Sequence, residues 1–280
     1  MPQITLENRA FIAVAGPEAE DFLQAIITTD LPSVGPGETW PGALLAPQGK
    51  IMFEFLISRA DDGFVIETDA ASGDAFAKRL TLYRLRAKVT IAKLEATAVT
   101  VSWGGPAPTG AARDMRFAKA GIDLFRAPGS AGDTNATAYT ALRIAHGISG
   151  AAEDGDATDF FPHDLLLDRN GGLNFKKGCY VGQEVVSRMQ HRSTARRRIV
   201  TVTADSALPA SRTAILAGGK DIGTLRTVEG NAGLAVVRID KAGDAMASGV
   251  PMMAGDVAVS LTLPAWSSVE FPVASDEAAS

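Results

Sequence analysis

The pattern of the chain changes near residue 196, and that change narrows the possible folds more than any other feature. Beyond it, short apolar runs at residues 199–203, 213–216, 222–228, 234–239 and 257–263 alternate with turn signals, and no helix is evident. Short strands at this spacing predict a small all-β barrel or sandwich. Before residue 196 helix and strand signals are mixed. Residues 10–14, 50–58, 63–68, 88–94 and 98–103 read as strands, with ADDG making a hairpin between the second and third. Gly16-Pro17 opens a helix carrying Phe22, Leu23, Ile26 and Ile27 on one face. Phe76, Leu80 and Tyr83 mark a second helix, residues 137–146 a third ending at Gly147, and residues 182–190 a fourth. Residues 150–159 are small, acidic and aperiodic and read as a loop. The expected fold is therefore α+β, with a mixed region over residues 1–195, a β-barrel over 196–270 and a disordered tail over 271–280.

The chain has 280 residues and one cysteine, so no intramolecular disulfide exists and burial alone must hold the fold. The N-terminal residues lack a basic stretch leading into an apolar one, and no apolar run reaches membrane-spanning length. These features predict a cytoplasmic protein with no membrane partner. A net charge of −5 argues against broad nucleic-acid binding. There is no P-loop, no dinucleotide fingerprint, no H-E-x-x-H and no C-x-x-C. His146, His163 and His191 lie far apart, which argues against a metal site built from this chain's Cys and His alone.

The cysteine stands in an unusual frame, FKKGCYVGQE, residues 175–184. A thiolate is favoured where a helix N-terminus supplies N–H groups and where cations are near; Lys176 and Lys177 supply the latter. Gly178 and Gly182 permit φ > 0 and close approach to the backbone. The polar setting argues against the buried structural cysteine that a free thiol most often is. His191 is too far along the helix, at ~18 Å, to act as its base. One thiolate is also too few for an iron–sulfur cluster, which takes four protein ligands, so sharing with a partner or with small thiols is implied. Residues 176–198 carry Lys176, Lys177, Arg188, Arg192, Arg196, Arg197 and Arg198 against the single acid Glu184, and residues 78–88 form a second basic run. Such runs are either solvated faces or sites for a carboxylate- or phosphate-bearing ligand or an acidic partner. Few aromatics interleave with the cations, which argues against RNA.

KGCYVGQE at residues 177–184 resembles the K-G-C-Y-x-G-Q-E signature of the YgfZ-type folate-binding proteins, relatives of the glycine-cleavage T-protein. The likeness extends over most of the chain: GPEAEDFLQAIITTD at 16–30, ALLAPQGKIMF at 43–53, LRIAHGI at 142–148, the Arg196–Arg198 entry to the last domain, residues 221–240, and LPAW at 263–266. The resemblance implies a T-protein-like region with a central cavity and a C-terminal β-barrel. It also implies tetrahydrofolate binding and a part in assembling or repairing iron–sulfur proteins.

Two departures separate the chain from the enzymes of that superfamily. The position of the T-protein catalytic aspartate is Phe53, and that of its pterin-holding glutamate is Ala145, followed by His146. The reading is thus a factor rather than a classical enzyme. Cys179 is the functional thiol and shared cluster ligand; Tyr180, Gln183 and Glu184 shape the ligand cavity; Lys177 and Arg188 favour the thiolate and an anionic ligand; Gly178, Gly182 and His146 complete the site. The expected ligands are a folate-type molecule and a transient cluster, and the expected partners are iron–sulfur carrier or client proteins. The alternative is a folate-dependent one-carbon transferase, which would need Glu54, Asp30 or Glu184 as a replacement acid.

Overall fold

The computed structural model describes residues 1–192 and 195–272. The chain forms two compact units that do not follow a single cut. The first comprises Met1–Ala136, Asp156–Pro162 and Leu167–Arg188; the second comprises Thr137–Gly155, His163–Leu166 and Met189–Ser280.

The first unit is built on nine strands: β1 (Gln3–Leu6), β2 (Arg9–Ala15), β3 (Glu38–Leu45), β4 (Ile51–Ala60), β5 (Gly63–Asp69), β6 (Thr90–Lys93), β7 (Val99–Trp103), β8 (Ala112–Asp114) and β9 (Leu124–Pro128). They form one sheet in the order β1-β7-β9-β8-β3-β4-β5-β2-β6. The expected hairpin is present, with Ala60 opposite Gly63. Strand alternation turns Ile12, Val14, Phe55, Ile57 and Ile66 to one face, where they bury against Phe22 and Leu23 of helix Ala19–Gln24 and Phe76 and Leu80 of helix Ala70–Arg84. Each such side chain contributes about 1.5–3 kcal/mol. Asp69 caps the longer helix, accepting from the Ser72 amide at 2.8 Å. Strand β3 was not expected from sequence because Pro41 interrupts it. The structure accommodates the proline because parallel β8 pairs only Glu38 and Thr39, leaving the Pro41 nitrogen no ladder bond to lose on that side.

The second unit is a closed barrel of β10 (Arg197–Thr203), β11 (Ala214–Ala217), β12 (Lys220–Glu229), β13 (Ala232–Arg238), β14 (Met252–Ala254) and β15 (Val257–Thr262), in the order β10-β13-β12-β11-β14-β15. Pairing of Thr201 with Thr262 joins its ends and removes both sheet edges. Val200, Val202, Ile215, Leu225, Ala235, Val237 and Leu261 fill it.

Three expectations need correction. The barrel region does contain a helix, Ile239–Ala247, whose Ile239, Ala242, Gly243 and Met246 stand at helical spacing; the expected strand at 234–239 had absorbed its first residue. Residues 150–159 are not a plain loop but two short helical turns, Ala151–Asp154 and Ala157–Asp159. Their acids serve as caps, Asp156 accepting from the Thr158 amide at 2.9 Å and Asp154 from Gly150 at 2.9 Å, so no hydrophobic period marks them. The strand expected at 234–239 ends at Arg238, where that helix begins. Helix Thr137–His146 ends as expected, with Gly147 at φ +62°. Residues 273–280 of the expected tail lie outside the described residues.

Candidate functional site

The Cys179 loop is held by an Asx turn. Asn174 Oδ1 accepts from the amides of Lys176 (2.7 Å) and Lys177 (2.9 Å), while the Asn174 amide donates to Thr28 O at 3.0 Å. Tyr180 folds back beneath the turn and donates its hydroxyl to Asn174 O at 3.0 Å. It is buried, and burial pushes its phenol above the usual range. Lys177 reaches the other way. Its Nζ donates to Ile27 O at 2.8 Å and Thr29 O at 2.6 Å and lies 5.5 Å from the Tyr180 ring centroid. Burial pushes the ammonium down to about 8, opposed by Asp30.

The fourth anchor is Gly182. Its φ is +78°, and a Cβ there would stand 2.6 Å from Ala46 O. Val185 meets Gly49 of the Gln48-Gly49-Lys50 turn, and Val186 is buried behind it. The K-G-C-Y segment and the A-L-L-x-x-Q-G-K segment, far apart in sequence, are thus packed together. Between these anchors Gly178 and Cys179 are exposed. The Gln183–His191 helix begins four residues after Cys179, as the sequence predicts.

Several expected roles change. Gly178 does not adopt positive φ, and a Cβ there would meet nothing within 4 Å, so close approach is enforced only at Gly182. Tyr180 is a packing residue and does not present its hydroxyl to a ligand. Glu184 and Arg188 pair with each other one helical turn apart on an exposed face, and such pairs contribute little. Gln183 lies at the helix start, its amide donating to Tyr180 O at 3.2 Å. His146 belongs to the other compact unit from Cys179; its backbone oxygen accepts from Trp266 Nε1 at 2.8 Å. Phe53 stacks on Phe76, with ring centroids 4.7 Å apart, and packs against the core, while Ala145 is exposed.

The sequence reading missed a buried ionic cluster. Arg126 forks onto Glu67 through Nε and Nη2, Arg9 Nε donates to the same carboxylate at 2.8 Å, and Asp114 is forked by Arg116 at 3.1 and 2.7 Å. Burial alone would raise the Glu67 carboxyl, but Arg126 and Arg9 outweigh it and hold it at about 2. Glu67 and Arg126 line a cavity of about 590 Å³ with Phe11, Thr39, Ser58 and Val99, and no residue of the cysteine signature is among its lining. The available signal was a charge in each of two apolar strands, at Glu67 in β5 and Arg126 in β9. Among the described residues no three His, Cys, Asp or Glu side chains gather to hold a metal, and no helix is long and apolar enough to cross a membrane.

The fold is that of the glycine-cleavage T-protein. A crystal structure of the glycine cleavage system aminomethyltransferase T from Bartonella henselae matches with a TM-score of 0.71 over 94% of this chain and 85% of that one, at 16% identity. Residues 196–269 match the family described as CAF17, C-terminal beta-barrel domain. The iron-sulfur cluster assembly factor IBA57 of Homo sapiens, a mitochondrial protein, is 30% identical over 84% of this chain and 77% of its own length. The homologue from Pyricularia oryzae is 32% identical over 70% of this chain, which spans 55% of that relative. The chain belongs to the IBA57 family of iron–sulfur cluster assembly factors. The expectation of a cytoplasmic protein is overturned by these relatives, which carry mitochondrial names.

Proposed function

We propose that this chain acts in iron–sulfur cluster assembly, with the Cys179 thiolate as its ligand to a cluster whose remaining ligands come from carrier or client proteins. The observation that carries this reading is an exposed thiol on a loop tied down at Asn174, Lys177, Tyr180 and Gly182. A frame that rigid serves a group that must be met by a partner. It holds the ligand in place before docking, so less entropy is lost on binding. The cluster is cargo here. One thiolate supplies one of the four ligands it takes.

Tetrahydrofolate remains part of the proposal as a bound molecule, supported by the T-protein fold. The residues present do not fit a catalytic folate site. Phe53 is committed to the Phe76 stack and Ala145 has no carboxylate, so neither position can pair with the polar edge of a pterin. No chemical step is therefore assigned to it.

The test is Cys179→Ser. A purified [4Fe–4S] carrier is mixed anaerobically with this protein, and cluster on the mixture is followed by absorbance and iron content. The wild type is expected to retain a shared cluster through size-exclusion chromatography and the variant to lose it, with unfolding midpoints unchanged because the side chain is exposed. Equal retention by the variant rejects the role of Cys179. Isothermal titration with tetrahydrofolate tests the second ligand independently.

A further inference from the structure

The two most exposed large hydrophobic side chains among the described residues stand three positions apart at one helix end. Leu82 is 60% exposed in the last turn of helix Ala70–Arg84, and Leu85, which closes that helix, is 87% exposed. A single exposed leucine needs no explanation. Leu85, however, is held outward in a costly conformation. Its φ is +47°, where bulky side chains are rare, and strain of this kind clusters at sites that use it. The opposite face of the helix is already spoken for, since Gly73, Phe76 and Leu80 are buried against the sheet.

Cations flank these leucines. Residues 75–94 contain Lys78, Arg79, Arg84, Arg86, Lys88 and Lys93 and no acid, within a chain of net charge −5. Lys78 lies one turn before Leu82 on the same helix face. Lys78, Arg86 and Lys88 are exposed, and among the described residues none of their side chains makes an ion pair. Two carboxylates reach the run from outside it. Glu18 accepts from the Lys88 backbone amide at 2.9 Å, and Asp74 pairs with Lys93 at 2.6 Å. A cation in the last turn complements the helix dipole, which accounts for Arg84. It accounts neither for the cations beyond the helix end nor for the two leucines.

We propose that this helix end is a docking surface for an acidic, amphipathic segment of a partner protein. Apolar side chains of that segment cover Leu82 and Leu85, and its carboxylates meet Lys78, Arg86 and Lys88. Charge complementarity selects such a partner, because a local basic patch on a net-negative chain attracts an acidic segment that touches only the patch. An anionic bilayer fits less well. It is an extended surface that faces the rest of the acidic chain too, and two leucines are a small apolar face beside those that lie in a membrane interface. The surface belongs wholly to the first compact unit and does not rest on the Cys179 reading.

The experiment titrates the full chain into a labelled synthetic helical peptide with leucine along one stripe and glutamate elsewhere, read by fluorescence anisotropy. Saturable binding that weakens as salt rises is expected. Leu82→Ser combined with Leu85→Ser should weaken it about tenfold or more, the worth of covering a leucine. Lys78→Glu combined with Arg86→Glu should weaken it too, with a shallower salt dependence. All four side chains or their tips are exposed, so melting temperatures should hold. Leu85→Gly separates docking from folding: it should raise the melting temperature and still weaken binding. No saturable binding, an affinity unchanged in the double serine variant, or binding indifferent to salt overturns the proposal. Phosphatidylserine vesicles and sedimentation equilibrium of the chain alone run in parallel. Vesicle binding, or self-association, that is lost in the double serine variant while the peptide does not bind overturns it in favour of a membrane or of a second copy.

Discussion

Replacing Arg126 with Met should be among the most damaging single changes in the first unit. Arg126 is 3% exposed and Glu67 6% exposed, and the guanidinium meets both carboxylate oxygens. Removing one partner of a buried pair leaves the other charge stranded, at a cost of about 3–5 kcal/mol. Against the ~5–15 kcal/mol by which domains are stable, that is a large fraction. Arg9 stays on Glu67 at 2.8 Å and Arg116 on Asp114, which places the expected loss at the lower end. The pH dependence gives an independent check. Glu67 is held at about 2 against an ordinary 4.5, so its ionisation contributes up to about 3 kcal/mol. Because the folded carboxyl lies below its unfolded value, that contribution is complete above pH 4.5 and is lost as pH falls toward 2. Urea unfolding of wild type and Glu67→Gln across pH 7 to 2.5 should show their stability difference narrowing below pH 4.5. A difference that stays constant across that range, or an Arg126→Met loss below about 1 kcal/mol, would refute the reasoning.

Two further substitutions probe backbone conformations. Leu85 closes helix Ala70–Arg84 at φ +47° with its side chain 87% exposed. Leu85→Gly relieves a strained conformation without removing buried surface and should stabilise by about 0.5–1 kcal/mol, read as a rise in melting temperature; a fall would mean the backbone there is unstrained. Gly182→Ala places a Cβ 2.6 Å from Ala46 O at φ +78°. It should cost about 2–3 kcal/mol and alter the alkylation rate of Cys179, whereas an unchanged rate would show that the thiol loop is not anchored there.

The fold was legible where one residue pattern sufficed. Five of the six barrel strands could be read as short apolar runs between turn signals, while β14, only three residues long, could not; the hairpin at Asp61-Asp62 could be read because its two strands are both apolar. Helix Ile239–Ala247 was missed although Ile239, Ala242, Gly243 and Met246 keep helical spacing, because Ile239 also continues the apolar run of the strand before it. Strand β3 was hidden by Pro41, whose tolerance depends on how far β8 reaches, a tertiary fact. The exposure of the thiol was legible from its polar, glycine-flanked frame. The duties of its neighbours were not, because Lys177 and Tyr180 spend their polar atoms on backbone carbonyls at Ile27, Thr29 and Asn174, and such partners leave no trace in a motif.

Those hidden duties bear on how one fold serves both a transferase and an assembly factor. Phe53, which the motif resemblance sets at the position of the transferase aspartate, is partly buried and lies flat against Phe76 with 5° between their planes. Ala145, set by the same resemblance at the position of the glutamate, is exposed. The loop at residues 174–182 instead concentrates its hydrogen bonds and its one enforced close approach around an exposed sulfur. Investment in backbone order has no use for a group that merely packs, and it is wasted on a nucleophile without a base. It is what a ligand offered to an incoming partner requires, and on the proposed reading this is the sense in which the loop, rather than the lost acids, defines the site.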